Sequence, residues 1–167
     1  MQGCNQEEGI VHEETFAPIA RIEAVRILVA FTTHMEIKLY QIDVKSAFLN
    51  RYLKEEVYVS QPPGFENHDL PNLVFKLDKT LYGLKQAHRS WYEHLSKFLI
   101  NNGFRRGKVD NTLFLKSKRE QLLIVQIYID DIIIGATNSD LCDDFLKLMR
   151  SLKRNYNIST KICQGIT

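Results

Sequence analysis

The chain is short of cysteine: Cys4, Cys142 and Cys163 form neither an even-numbered framework nor a CxxC pair. A disulfide scaffold is thereby excluded, and a reducing compartment suits the composition. Histidines with ligand spacing are lacking too. His12, His34, His68, His88 and His94 stand at no regular offset from one another or from the cysteines, which argues against zinc. No apolar run is long and uninterrupted enough to span a bilayer, and the N-terminus lacks a basic-then-apolar leader. The expectation is a soluble intracellular protein, in cytoplasm or nucleus, with no membrane partner. Internal repeats and low-complexity linkers are also missing. A strong net charge is absent as well: the formal value of +2 neither demands nor excludes a nucleic-acid partner.

What is present is ordinary globular composition, 44% apolar and 25% charged over 167 residues, enough for one domain with a sizeable core. The charge is unevenly spread. Glu7, Glu8, Glu13 and Glu14 make the head acidic, while Lys147, Arg150, Lys153, Arg154 and Lys161 make the tail basic. The basic tail reads either as a solvated helix face or as a backbone-phosphate contact.

Residues 1–15 are polar and without period. Pro18 suits the first turn of a helix, and Ile19 to Met35 follows with a broad apolar face that predicts core packing. Lys38 to Val44 alternates as a strand, with Leu39, Gln41 and Asp43 on one face. An aspartate ending a buried strand is costly unless it is paired or metal-bound. Capping a helix that begins at Ser46 is the other account of Asp43. Short strands follow at Val57–Ser60 and Val74–Leu77, separated by the Gln61-Pro62-Pro63-Gly64 breaker. A long helix then runs to about Ile100, with Ala87, Trp91, Leu95, Phe98 and Leu99 buried and Asn101-Asn102-Gly103 as its stop. Lys85, Gln86 and Arg89 occupy its first turns, either as a solvated helix start or as a phosphate or base contact. Strands are predicted at Thr112–Lys116, Leu122–Ile129 and Ile132–Ala136. A last helix is capped by Asn138 or Ser139, with Leu141, Phe145, Leu148 and Leu152 as its inward stripe. The class is α+β, or a split βαβ arrangement. Its domain spans 16–152, between a polar N-terminal remnant at 1–15 and a divergent basic tail at 153–167.

The odd placement lies between the last two strands. Leu122–Ile129 and Ile132–Ala136 are joined by two residues only, Asp130 and Asp131, which predicts a tight hairpin. Two carboxylates about 5 Å apart repel by about 3 kcal/mol at an effective dielectric of about 20. Such a pair at an apolar hairpin tip invites a cation. Asp43 is the candidate third carboxylate, and hard cations such as Mg²⁺ take carboxylate oxygens and borrow further ligands from substrate phosphates.

Several segments sharpen this reading. Gln41-Ile42-Asp43-Val44-Lys45-Ser46-Ala47-Phe48-Leu49-Asn50 resembles the first catalytic motif of copia-type LTR-retrotransposon reverse transcriptases. Glu56 to Phe65 is similar to the segment after it. Leu81-Tyr82-Gly83-Leu84-Lys85-Gln86-Ala87, continued by Arg89, Trp91 and Tyr92, resembles the next block, and Tyr128-Ile129-Asp130-Asp131 the Y-x-D-D box. Glu14 to Arg21 is also similar, and the resemblance runs from about Asn5 to Arg150 with its motifs in order.

The resemblance implies a right-hand polymerase palm carrying Asp43, Asp130 and Asp131 as catalytic and metal-binding residues. Asp43 and Asp130 would be the principal ligands of two Mg²⁺ ions, or Mn²⁺, with Asp131 supporting. Neighbouring strand residues point to opposite faces, which is the reason for that ranking. It implies an RNA or DNA template-primer and a dNTP as partners. Phe48 would exclude a ribose 2′-OH, Lys85, Gln86 and Arg89 would position nucleotide or template, and Tyr128 would pack near the primer end. Phe48 and Tyr128 also read as ordinary core aromatics. Arg51 stands where the family usually has Gly, and His88 where it usually has Pro. Family domains begin earlier and continue into a primer grip and ribonuclease H. The expectation is therefore a palm core truncated at both ends, with fingers incomplete and the ribonuclease H and integrase domains absent. The functional alternative is a catalytically inactive remnant, at most a nucleic-acid- or protein-binding module.

Overall fold

A computed structural model describes residues 17–49, 52–118, 120–152 and 157–159. The polar segment 1–15 with its acidic residues, Cys4, His12, Asn50, Arg51, Lys153, Arg154, Lys161 and Cys163 lie outside the described residues.

Among the described residues the chain forms α1 (Ile22–His34), β1 (Leu39–Lys45), β2 (Tyr52–Ser60), β3 (Val74–Lys79), α2 (Ala87–Asn101), β4 (Arg105–Arg106), β5 (Leu113–Lys118), β6 (Gln121–Tyr128), β7 (Asp131–Ala136), α3 (Ser139–Leu152) and β8 (Asn157–Ser159). A six-stranded sheet has the order β4-β5-β6-β7-β1-β8, and β2 and β3 form a separate ribbon. Every strand pairing among the described residues is antiparallel. The mixed α and β class with antiparallel sheets agrees with the sequence reading.

Register divides the sheet into two faces. One carries Tyr40, Ile42 and Val44 of β1, Ile132, Ile134 and Ala136 of β7, Leu123, Val125 and Ile127 of β6, and Phe114 of β5. Nearly all of these are fully buried, in one apolar cluster with Ala87, Trp91, Leu95 and Leu99 of α2 and Cys142, Phe145 and Met149 of α3. The helices show why they bury these faces. In α2 the apolar residues recur at i, i+4, i+8 and i+12, one stripe of a 3.6-residue period. Its end is marked by Asn102 and by Gly103, whose φ of +83° needs no Cβ. Asn138 starts α3, its Oδ1 accepting the Asp140 N–H at 3.0 Å.

The opposite face carries three cross-strand rows. Leu39, Gly135, Ile124 and Leu115 form the first, Gln41, Ile133, Gln126 and Leu113 the second, and Asp43, Asp131 and Tyr128 the third, at the sheet's end. At Gly135 a Cβ would stand 2.8 Å from Leu39 Cδ2 and 3.1 Å from Ile37 Cγ2, so those two side-chain ends would have to shift to admit one.

Five expectations need correction. The first helix begins at Ile22, not Ile19, because Arg21 takes extended angles. It is also not core material throughout. Only Leu28 and Thr32 are buried, while Ile22, Ile27, Phe31 and Met35 are exposed, since a helix apolar on most sides buries only the side that meets a neighbour. No helix starts at Ser46: residues 46–49 are a single turn, Ser46 having a left-handed φ of +59°. The stripe of α3 centres on Cys142, Phe145 and Met149, leaving Leu141, Leu148 and Leu152 at its flanks. Finally, the sheet takes in β8, from the stretch after Lys153 where no period was visible; edge pairing through backbone groups needs no side-chain pattern.

Candidate active site

The hairpin tip is displaced by one residue from the sequence reading. Tyr128 pairs with Asp131, so the two connecting residues are Ile129 and Asp130, and Asp131 is the first residue of β7. Ile129 has φ of +57°, the sign that the first central position of a type II′ turn requires. Two hydrogen bonds hold this turn. The Val44 N–H donates to Asp130 O at 3.3 Å, and the Trp91 indole N–H donates to Ile129 O at 3.0 Å.

These facts set the three carboxylates. Asp43 on β1 lies directly opposite Asp131 on β7, so the two share one face. Asp130 sits in the turn and is bonded to the backbone of the residue after Asp43. The alternation argument that separated Asp130 from Asp131 therefore does not apply, because Asp130 is not in a strand. Capping is likewise removed as an account of Asp43, there being no helix at Ser46 to cap. All three aspartates are half-buried. None makes a side-chain hydrogen bond or ion pair with the described residues, the ion pairs there being Lys54–Glu93, Lys76–Glu56, Arg89–Glu93 and Lys147–Asp144.

An aromatic wall flanks the acids. Phe48 is 3% exposed, its ring 5.0 Å from that of Tyr82 in an edge contact and 4.7 Å from that of His88. The Phe48 carbonyl accepts a hydrogen bond from the Thr80 hydroxyl. Tyr82 is half-exposed above it. Burial pushes the Tyr82 phenol up, the charges of Asp130 and Asp43 act in the same direction, and the Ser46 and Ala47 backbone opposes them. Burial holds the His88 imidazole below its ordinary value, with Asp130 pulling the other way. Both side chains thus sense the carboxylates.

Lys85 and Gln86 stand just before α2 in the chain. Lys85 is exposed, whereas Gln86 is the buried N-cap residue. Gln86, Arg89, Ser90 and Glu93 line a cleft of about 180 Å³ against Tyr52 to Glu55 of β2. Arg89 and Lys54 both bond Glu93, tying the ribbon to the helix. The structure therefore brings together Asp43, Asp130, Asp131 and Tyr128, with Phe48 behind Tyr82 and His88. It sets the Gln86–Arg89 cleft beside α2 as a second feature. Sequence reasoning missed Tyr82 and His88 as neighbours of the acids, and Trp91 as a support of the turn. An aromatic-rich block carries no signal of where its rings point.

The donor set fits a hard divalent cation: three carboxylates uncompensated by any described cation, clustered at one sheet end. Among the described residues no three His, Cys, Asp or Glu side chains already converge on one point. A hard divalent cation commonly takes only one or two carboxylates and completes its shell with water and substrate phosphate. Among the described residues, no helix is long and apolar enough to cross a membrane.

Comparison with known proteins gives a consistent result. A family profile described as reverse transcriptase (RNA-dependent DNA polymerase) matches residues 1–163, beyond the Asn5–Arg150 range of the motif resemblance. The retrovirus-related Pol polyprotein from transposon RE1 of Arabidopsis thaliana is 39% identical over 145 residues, 87% of this chain and 10% of that protein. That from transposon RE2 of the same plant is 38% identical over 140 residues, 84% and 10% respectively. The Pol polyprotein from transposon TNT 1-94 of Nicotiana tabacum is 32% identical over 159 residues, 95% and 12%. The chain spans about a tenth of the length of these curated relatives. No solved structure matches it.

Proposed function

This chain belongs to the reverse transcriptase (RNA-dependent DNA polymerase) family of copia-type retrotransposon Pol polyproteins, and from that premise we propose that it is the palm-like core of an RNA-directed DNA polymerase. The family is generally divalent-metal dependent. The observation that carries the reading is the row of Asp43 and Asp131 beside Asp130, three carboxylates with no described counter-charge.

Asp43, Asp130 and Asp131 would hold two Mg²⁺ ions, or Mn²⁺. Such ions would supply Lewis-acid activation of the primer 3′-OH and charge neutralisation at the leaving pyrophosphate. The protein's own contribution is to fix the backbone segments that carry the three carboxylates at one end of the sheet, which limits the reorganisation needed during reaction. Half-exposed Tyr128, next in the row to Asp131, offers an apolar ring to the primer end. Phe48 acts on the sugar as a rigid backing, since the exposed ring in front of it is that of Tyr82. Lys85 and Arg89, with Gln86 on the cleft beside α2, meet the template or nucleotide through charge and hydrogen bonding.

The domain runs over 16–152, and the participation of β8 extends the folded unit toward the tail. Primer extension on a primed RNA template with Mg²⁺ or Mn²⁺ tests the proposal, with Asp130→Asn as control. Incorporation lost in D130N supports it. Incorporation that survives D130N refutes the triad. Salt-sensitive binding of template-primer without incorporation assigns the chain instead as an inactive nucleic-acid-binding module.

A further inference from the structure

The turn that carries Asp130 has a conformation its own sequence disfavours. Ile129 lies in the left-handed region at φ +57°, where a β-branched residue is an outlier and Gly or Asn is the usual occupant. Something outside the turn must hold it there. The Trp91 indole N–H reaches Ile129 O at 3.0 Å from 38 residues away in sequence. Trp91 is 0% exposed, on the inward stripe of α2 between Ala87 and Leu95, so the donor is anchored in the core. The next carbonyl, that of Asp130, accepts the Val44 N–H from β1, one residue beyond Asp43. The turn is thus braced from two sides, by a helix through residue 129 and by a strand through residue 130.

We propose that Trp91 is a positioning residue of the three-carboxylate site: its indole N–H braces the left-handed turn through Ile129 O and so keeps Asp130 beside Asp43. The part concerning metal affinity rests on the reading of these carboxylates as a metal site; the brace itself does not. A buried indole needs an acceptor in any case, and simple satisfaction of its N–H is the competing account. The two differ in what happens when the strain is removed. With the brace lost, the strained turn relaxes in a fraction of molecules, and apparent affinity at the site falls by that fraction. Relieving the strain at position 129 restores it. Simple satisfaction predicts no such rescue.

The experiment uses the full chain and Mn²⁺ alone as the probe. Trp91→Phe keeps a ring and deletes the donor; Ile129→Gly removes the strain. Loss of one such bond corresponds to a change of about three- to tenfold. In W91F, amide exchange at residues 129–131 is expected to quicken by that factor while α2 stays protected, and the Mn²⁺ dissociation constant to rise similarly. I129G alone leaves the affinity within about twofold and restores it in the double variant. Unchanged turn exchange in W91F, or a loss spread over the whole core that I129G does not restore, overturns the proposal. If the unmutated chain binds no Mn²⁺, the metal-site reading fails, and the exchange arm alone decides the brace. Should W91F not fold, the unmutated chain decides it, because Trp91 is the sole tryptophan. An indole proton that exchanges together with the turn amides supports the brace, and one that exchanges with the amides of α2 overturns it.

Discussion

Replacing Asp131 with Asn should make the protein more stable and less able to bind a divalent cation. Asp43 and Asp131 are directly opposite on neighbouring strands, and Asp130 adjoins both. Like charges directly opposite on a sheet destabilise it. Side chains directly opposite on neighbouring strands have Cβ atoms about 4.5–5.5 Å apart. For charges about 5.5 Å apart the repulsion is about 3 kcal/mol at an effective dielectric of about 20, falling to about 1 kcal/mol at about 60. All three groups are half-buried and open to water, so the lower figure applies, and salt trims it further. Asn is nearly isosteric with Asp, so packing changes little. In EDTA, D131N should therefore gain about 1 kcal/mol, or about 2–4 °C in Tm for a domain of this size. A cation at tenfold its Kd should stabilise the unmutated chain by about 1.4 kcal/mol, and the variant by clearly less. Thermal and urea melts of both proteins, in EDTA and in Mn²⁺ at low and high salt, measure the two effects. A variant less stable than the unmutated chain in EDTA, or one with the same Mn²⁺ gain, would refute the electrostatic reasoning.

Three further outcomes are expected. Hydrogen bonding from Lys54 holds the Glu93 carboxyl below its ordinary 4.5, with burial opposing and Arg89 assisting. A depressed carboxyl contributes stability that is present above the unfolded value and lost as pH falls through the folded one. Lys54 is largely exposed, so Glu93→Gln should cost below about 1 kcal/mol at pH 7 and nothing at pH 2 in urea melts. His88 is held below its ordinary 6.5 mainly by burial. Below 6.5 the unfolded chain takes the proton first, so stability should decline as pH falls from 6.5 toward the folded value, and His88→Gln should flatten that slope. The Cys142 thiol is pushed up to about 11 by burial, with Asp143 adding to it. At pH 8 about one molecule in a thousand carries the thiolate. In a background lacking Cys4 and Cys163, maleimide labelling should be slow in the native state and complete in urea.

Much of the fold was legible in the chain because its signals are local. The period of Ala87, Trp91, Leu95 and Leu99 identified α2 and its buried stripe, and the two β-branched runs identified β6 and β7. Where the local signal was ambiguous the reading slipped. Ser46 followed a strand and preceded apolar residues, which suits either a helix or one left-handed turn. The apolar face of α1 announced burial, although burial depends on what lies opposite. β8 had no period to announce it, because it joins by backbone pairing.

The sequence by itself determined the family, through ordered motifs, and the residue types available for chemistry: three aspartates, an aromatic-rich block and a basic helix start. Tertiary structure alone decided how they meet. Register put Asp131 opposite Asp43, since a shift of one residue would have sent it to the other face. Turn geometry moved Asp130 out of the strand and made its position depend on Ile129. Core packing, finally, brought the indole of Trp91 to the carbonyl before Asp130, a contact across 38 residues that no local pattern encodes.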